Sequence, residues 1–227
     1  MYMKNIKIDL HLHSPISRPN GDSIKWDSWY ETIKTLKNHN IQIGAFSDHN
    51  RFDVNHYLEG FNLAKTANIL LLPAIEANVV RNDGIIANLI YIFDANLSLE
   101  QLNLISEIAK NKLFKRGISL SETKTIFKDF ETIKIPHVGK SDYFKWEDLD
   151  QIEYDAIEIT NEKHPNYLAV LKHNIKTSVV AFSDTHIWNL YPQQANLITV
   201  IDQLDTIDFK SLKQAFKDCK NYAKRRW

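Results

Sequence analysis

Ile6-Lys7-Ile8-Asp9-Leu10-His11-Leu12-His13-Ser14 is the stretch on which the fold turns. Apolar and polar residues alternate over Ile6–His11 with the period of two that marks a β-strand. The run ends on a chemically loaded pair, His11 and His13. In an extended chain residues i and i+2 point to the same side, so these two imidazoles can grip one ion. Four other segments repeat the design, an apolar β-type run ending on ionisable side chains. Ser47-Asp48-His49-Asn50 follows Gln42–Phe46, Glu76 follows Ile69–Ile75, His137 follows Thr132–Pro136, and Ser183-Asp184-Thr185-His186 follows Ser178–Phe182.

Working outward, further strands are expected at Ile85–Phe93, Ala156–Ile159 and Leu197–Val200. Amphipathic segments at helical spacing lie between them: Trp26–Asn38, Val54–Ala67, Leu99–Phe114, Ser121–Phe130, Pro165–His173 and Phe209–Lys224. Strands alternating with helices imply parallel pairing and an α/β fold. With seven or eight strands in 227 residues, a barrel-like closure is expected over two separate sheets, in one domain covering 1–227. The carboxyl ends of parallel barrel strands gather on one face, where active sites form. The five loaded strand ends would therefore converge.

Composition narrows the classes. The chain has 28 Lys+Arg against 28 Asp+Glu, which argues against a generic polyanion binder. The single cysteine, Cys219, excludes a disulfide framework and a cysteine-based zinc site. The most apolar windows, Ile69–Val80 and Ile85–Phe93, contain Glu76 or Asn88 and fall short of the ~20 residues of a membrane span. No leader-type segment is read at Met1–Asn5. A soluble protein of the reducing cytoplasm, with no membrane partner, is the expectation.

Imidazoles mixed with carboxylates suit Zn, Mn or Fe better than Mg or Ca alone. His11, His13, His49, Glu76, His137, Asp184 and His186 exceed what one tetrahedral site needs, so two or three divalent ions are expected. A bridging carboxylate such as Glu76 or Asp184 would join them. Each residue has an ordinary reading when taken singly. A lone His-x-His is often incidental, Asp48 could cap the next helix, Glu76 could pair with a base, and His137 could be a satisfied loop histidine. Their joint occurrence at five strand ends is what those readings leave unexplained.

Taken together, DLHLHS, SDHN, the Glu of LLPAIEANV, the His of IPHVGK and FSDTH resemble the PHP (polymerase and histidinol phosphatase) superfamily. The motifs stand in that family's order from Asp9 to His186. The resemblance implies a distorted, TIM-like (β/α)7 barrel carrying up to three metal ions and hydrolysing phosphoesters. It implies one metal on His11, His13, Glu76 and Asp184, a second on Glu76 and His137, and a third on His49 and His186. Two positions depart from the pattern. Asn88, in IIANLIYIF, stands where the family usually offers a histidine. Ser17-Arg18 replaces a Ser-Asp-Gly context, leaving Asp22 as the next candidate for the third metal.

The expected chemistry is in-line attack on phosphorus by a water whose pKa the metals lower toward ~7, with positive charge stabilising the developing oxyanion. Arg18, Arg51 and Lys140 follow motif residues and are candidates to hold non-reacting phosphate oxygens, Arg bidentately; solvated surface charge is their bland alternative. Asp48 is a candidate to orient His49. Trp188 and Tyr191 could stack a base or close a loop over the core. His39, His56, His164 and His173 fall in or beside helices and are set aside. So is the basic run Lys210, Lys213, Lys217, Lys220, Lys224, Arg225 and Arg226, read as a solvated face. The expected substrate is a phosphorylated small molecule or nucleotide. The alternatives are a nuclease acting on nucleic-acid ends, working with a partner such as an ATPase, and a non-catalytic module with a decayed cluster.

Overall fold

The computed structural model describes residues 3–17, 24–114, 117–192 and 197–225. Fifteen elements carry the argument: β1 Met3–Leu12, α1 Trp29–Asn38, β2 Ile41–His49, α2 Val54–Thr66, β3 Leu70–Val80, β4 Ile86–Phe93, α3 Leu99–Ile108, β5 Ile118–Ser119, β6 Thr132–Gly139, β7 Ala156–Ile159, α4 Pro165–Lys172, β8 Ser178–Val180, β9 Leu197–Leu204, α5 Phe209–Lys217 and β10 Asn221–Arg225. The strands run β10-β9-β1-β2-β3-β4-β6-β7-β8 across the sheet, with β5 attached to β3. From β9 to β8 the sheet curls into a nearly closed, TIM-like barrel in a mixed α/β fold. The seam is drawn together by a parallel bridge between Leu12 and Thr185. Thr199 reinforces it, its Oγ1 accepting from Ala181 N at 2.8 Å and donating to Ala181 O at 2.9 Å.

The expectation of uniformly parallel pairing needs correction. β1-β2-β3 and β6-β7-β8 are parallel, but β9 runs antiparallel to β1 and β4 antiparallel to both its neighbours. For β4 the reason lies in its connection: only residues 81–85 separate β3 from β4, too few for a crossover helix but enough for a hairpin. Two expected helices also differ. Ser121–Phe130 forms only a 3₁₀ turn at Ser121–Lys124 followed by turns. The helix expected over Phe209–Lys224 stops at Lys217; Cys219 then takes φ 51°, and the chain returns as β10 on β9. Leu99–Phe114 is helical throughout, but α3 widens into a π-helical turn over Ala109–Leu113.

Helix starts follow from side-chain caps. Ser28 accepts from Glu31 N, Asp53 from His56 N, and Ser98 forms a capping box with Gln101. The barrel interior is a continuous apolar cluster contributed by alternate strand residues. It includes Ile6, Ile8 and Leu10, Ile43 and Ala45, Leu72 and Ala74, Ile90 and Ile92, Ile133 and Ile135, Ala156, Val180 and Phe182. Phe209, Leu212 and Phe216 of α5 join it, so this helix closes the end where the parallel strands begin. Ser178 Oγ, at the start of β8, donates to Phe216 O at 2.6 Å. The opposite end carries the site.

Candidate metal centre

The inward rows that are apolar near α5 become ionisable at the other end. On β3 the row Leu72–Ala74 continues to Glu76, on β6 Ile133–Ile135 continues to His137, and on β7 Ala156 continues to Glu158. Beyond β8, Val180–Phe182 leads to Asp184, and on β2 Ile43–Ala45 leads past Ser47 to His49. β4 arrives from the opposite direction, so Asn88, near its start, reaches the same level; it lies opposite Asn78 in the ladder, two residues past Glu76.

β1 needs a special device. Ile6, Ile8 and Leu10 face the interior, so strict alternation would turn His11 and His13 outward. The β1–β2 register is irregular between Asp9 and Leu12, and Leu12 packs in the outer cluster with the helices. That shift re-aims both histidines, as bulges next to sites commonly do. A second local device is Gly139, where an added Cβ would stand 2.7 Å from Ile159 Cγ2. Lacking one, β6 closes on β7 and sets Lys140 beside Glu158.

The resulting cluster is dense. His11, His13, Glu76, His137 and Glu158 are at most 2% exposed. Glu76 Oε2 lies 2.7 Å from His49 Nδ1, 3.4 Å from His11 Nε2 and 3.6 Å from His13 Nε2. Its Oε1 lies 3.3 Å from His137 Nε2 and accepts from Asn88 Nδ2 at 2.7 Å. Asp184 Oδ1 lies 3.1 Å from His13 Nε2, 3.4 Å from His11 Nε2 and 3.5 Å from His186 Nδ1. Asp184 sits at φ 49°, a left-handed conformation uncommon outside glycine.

These residues fit a metal. Three groups place their donor atoms within 4.8 Å of one another: His13, His49 and His186; His11, Glu76 and His137; and His11, His13 and Asp184. His11 Nε2 and both nitrogens of His137 are buried without a hydrogen-bond partner. A buried polar atom left so is costly, and a cation shared with Glu76 would satisfy both Nε2 atoms. The donor set, imidazole plus carboxylate, suits first-row divalent ions.

Outer partners orient these donors. His11 Nδ1 hydrogen-bonds Glu158 Oε2 at 2.9 Å, directing Nε2 toward Glu76 and Asp184. His13 Nδ1 bonds Ser17 Oγ at 3.0 Å, and the same hydroxyl accepts from His49 N at 3.0 Å. Trp188 Nε1 donates to His13 O, and Tyr191 OH to Asp9 Oδ2, both at 2.9 Å. These two aromatics are buried and close the loop over the β1 end, the second of the roles open to them.

Charge interactions outweigh desolvation for the acids. Burial pushes the Glu76 carboxyl up, but His11 and His49 hold it well below the usual range. Burial opposes ionisation of Asp184 and Glu158 too, and His11 with Lys140 drives both down. Burial disfavours the charged form of His11, yet Asp184 and Glu158 raise it well above 6.5. His13 goes the other way, lowered to about 3 by burial against the pull of Asp184. His137 is lowered by burial and by Lys140. Two buried carboxylates and the partly buried Asp184 face one buried ammonium here, an environment that favours added cations.

The structure brings together all seven residues read as metal-ligating. The four histidines set aside lie elsewhere: His39, His164 and His173 at helix ends and His56 within α2. Asp48 caps no helix; Asp53 does that for α2. Its carboxylate binds Ser14 N and Ser14 Oγ, each at 2.7 Å, tying β2 to the loop after His13, and burial raises it to about 7. Lys140 is buried, 2.9 Å from Asp184 Oδ2 and 3.2 Å from Glu158 Oε1. Arg51 lies with its guanidinium 4.3 Å from the Phe114 ring. Arg18 and Asp22 lie outside the described residues, as does Arg226. Two contributors escaped the sequence reading, Glu158 and Ser17. A carboxylate inside the apolar run Ala156-Ile157-Glu158-Ile159 was the available signal for the first; nothing marked the second.

The nearly closed barrel has counterparts of the same fold among solved structures. A two-domain protein from Bacteroides vulgatus containing a predicted PHP-like metal-dependent phosphoesterase superposes with a TM-score of 0.64 at 12% identity, over 99% of this chain and 65% of that one. The chain shares the fold of that protein. It spans about two thirds of the Bacteroides protein's length. A candidate metal-dependent phosphoesterase from Bifidobacterium adolescentis matches at TM-score 0.55 and 11% identity, over 80% of this chain and 88% of that one. An amidohydrolase from Chromobacterium violaceum, solved with bound sulfate and no metal, matches at 0.55 and 13%, with the same coverage. No family model and no curated protein matches the sequence. Among the described residues, no helix is long and apolar enough to cross a membrane.

Proposed function

We propose that this protein is a metal-dependent phosphoesterase that hydrolyses a phosphomonoester or nucleotide. The observation that carries the reading is the convergence of His11, His13, His49, His137 and His186 on Glu76 and Asp184 at one end of the barrel. His11, His13, Glu76 and Asp184 would hold one ion, His137 with Glu76 a second, and His49 with His186 a third. Zinc, manganese or iron suit these donors. Bound there, such ions would acidify a water and neutralise charge on the phosphoryl oxygens. The protein's own part is positional. Glu158 presents His11 through Nε2, Ser17 fixes His13 and the His49 backbone, and Lys140 balances the Glu158 and Asp184 carboxylates. Asn88 spends its amide on Glu76 Oε1, which supports fewer than three ions at full occupancy. A free, exposed thiol at Cys219 suits a reducing compartment such as the cytoplasm.

Elemental analysis after loading with Zn or Mn tests the reading first. The expected result is at least one ion per chain, falling below that in His11→Ala. Less than one ion in the unaltered protein would sink the enzymatic reading in favour of a non-catalytic module. A panel of nucleotides, small phosphomonoesters and short oligonucleotides then follows, and turnover of oligonucleotides alone would replace the phosphatase by a nuclease.

A further inference from the structure

A groove of about 410 Å³ is lined by residues that follow His13 and His49 in the chain and by the end of α3. One wall is Pro15 and Ile16, the loop between Ser14, which holds Asp48, and Ser17, which holds His13 and His49. A second wall is Arg51 and Phe52, which follow His49 by two and three residues. The third is Lys110 and Phe114 from the end of α3. Two loops that carry cluster histidines therefore also form this groove.

Its construction is specific. Ser106 Oγ donates to Phe52 O at 2.6 Å, tying α3 to the loop after β2. Lys110 and Phe114 lie on and just after the π-helical turn Ala109–Leu113, a distortion often found at functional positions. Arg51 lies against the Phe114 ring at 4.3 Å, close enough for cation–π attraction. Among the described residues neither Arg51 nor Lys110 has an ion-pair partner. The one carboxylate on the rim, Asp53, accepts from His56 N as the cap of α2. Two cations without an ion pair, Arg51 and Lys110, thus flank a ring and an apolar wall, with the Asp53 carboxylate at the rim.

We propose that this groove is a subsite for the part of the substrate beyond the reacting phosphate, and that it takes a second anionic group carried on a flat, apolar body. The volume is in the range of small-molecule pockets and suits a single substituted ring. Arg51 and Lys110 would meet the anion, while Phe114, Phe52 and Ile16 would pack on the ring. The inference rests on the phosphoesterase reading for the identity of the first group, but the groove's preference for a second anion can be measured separately.

The test is calorimetric titration of the Zn-loaded protein with phenylphosphonate and its meta- and para-carboxy derivatives, which cannot be hydrolysed. At least one carboxy derivative should bind about tenfold tighter or better, the scale of charge-assisted contacts. In Arg51→Gln/Lys110→Gln that ratio should fall to within about twofold of unity. Lys110→Gln alone, at an exposed position, should lower it about threefold and serves as the variant with least risk to folding. The ratio is read, not the absolute affinity. Equal affinities in the unaltered protein, or a preference that survives in the double variant, would overturn the proposal. Turnover of the matching phosphates is measured in parallel. A preference without turnover would keep the subsite and overturn the phosphoesterase reading. Turnover without a preference would do the reverse, and failure of both would overturn both.

Discussion

The two halves of this barrel's interior are built on the same inward-facing rows and obey opposite rules. Toward α5 the rows carry Ile8, Ala45, Leu72, Ile90, Ile135, Val180 and Phe182, all buried and all apolar. One or two steps further, the same rows carry His49, Glu76, Asn88, His137, Glu158 and Asp184, joined by the re-aimed His11, most of them just as buried. The first half gains from leaving water, at roughly 25 cal/mol per Å² of apolar area. The second half is disfavoured by burial, and its charges persist only because each is held against an opposite one. The apolar half supplies the rigidity that keeps the ionisable half assembled. Stability and chemistry are thus separated by about one layer of side chains.

The separation can be broken from either side. Phe182→Ala would empty the apolar half two residues before Asp184. Such a truncation is expected to lower unfolding free energy by about 3–5 kcal/mol in denaturant titrations, while folded chains keep their metal content. A loss of metal without a loss of stability would show that the two halves are not separable. Glu158→Gln acts in the other half. The amide can still accept from His11 Nδ1, but the charge is gone. Metal affinity in competition with a chelator is expected to fall about 10–100-fold, as for other carboxylates that orient a ligating imidazole. Unchanged affinity together with lowered stability would move Glu158 into the structural half.

How far the layering could be read in advance depends on the residue. His49, Glu76, His137 and Asp184 terminate rows whose apolar members are visible in sequence, so convergence followed once closure was assumed. His11 and His13 are legible from their place at a strand end and their i, i+2 spacing. Simple alternation from Ile6, Ile8 and Leu10 would have turned them outward, and the irregularity after Asp9 that corrects this has no local signature. β4 was expected parallel because strand patterns carry no direction; the short 81–85 connection was the only clue. Asn88 reaches the mouth for that reason alone. β10 lies within the span expected as helix to Lys224, because the periodicity from Phe209 to Cys219 gives no sign of the left-handed turn that follows Lys217. Glu158 and Ser17 serve other residues of the site, and such roles depend on tertiary neighbours rather than on motif spacing.

A smaller effect sharpens the comparison at the α5 end, where carboxylates lie outside the interior rows. Asp155, just before β7, is partly buried, and its Oδ2 accepts from Lys134 N at 2.9 Å. Burial raises its carboxyl above the ordinary 3.8, against the opposing effects of the Lys134 amide and of Lys213 and Lys217. A raised acid binds its proton more tightly in the folded state than in the unfolded one. Below 3.8 both states are protonated and the group is neutral in the balance. As pH rises from 3.8 through the folded value, the unfolded chain releases its proton first, so stability falls. Asp155→Asn keeps an oxygen for the Lys134 amide and removes the titration. The variant should therefore be slightly more stable than the unaltered protein at pH 7, with the gap shrinking steadily toward pH 4 in denaturant titrations. A gap that widens on acidification would mean that Asp155 is held as a carboxylate, as Glu76 and Asp184 are at the mouth, and that charge pairing rather than desolvation governs both ends of the barrel.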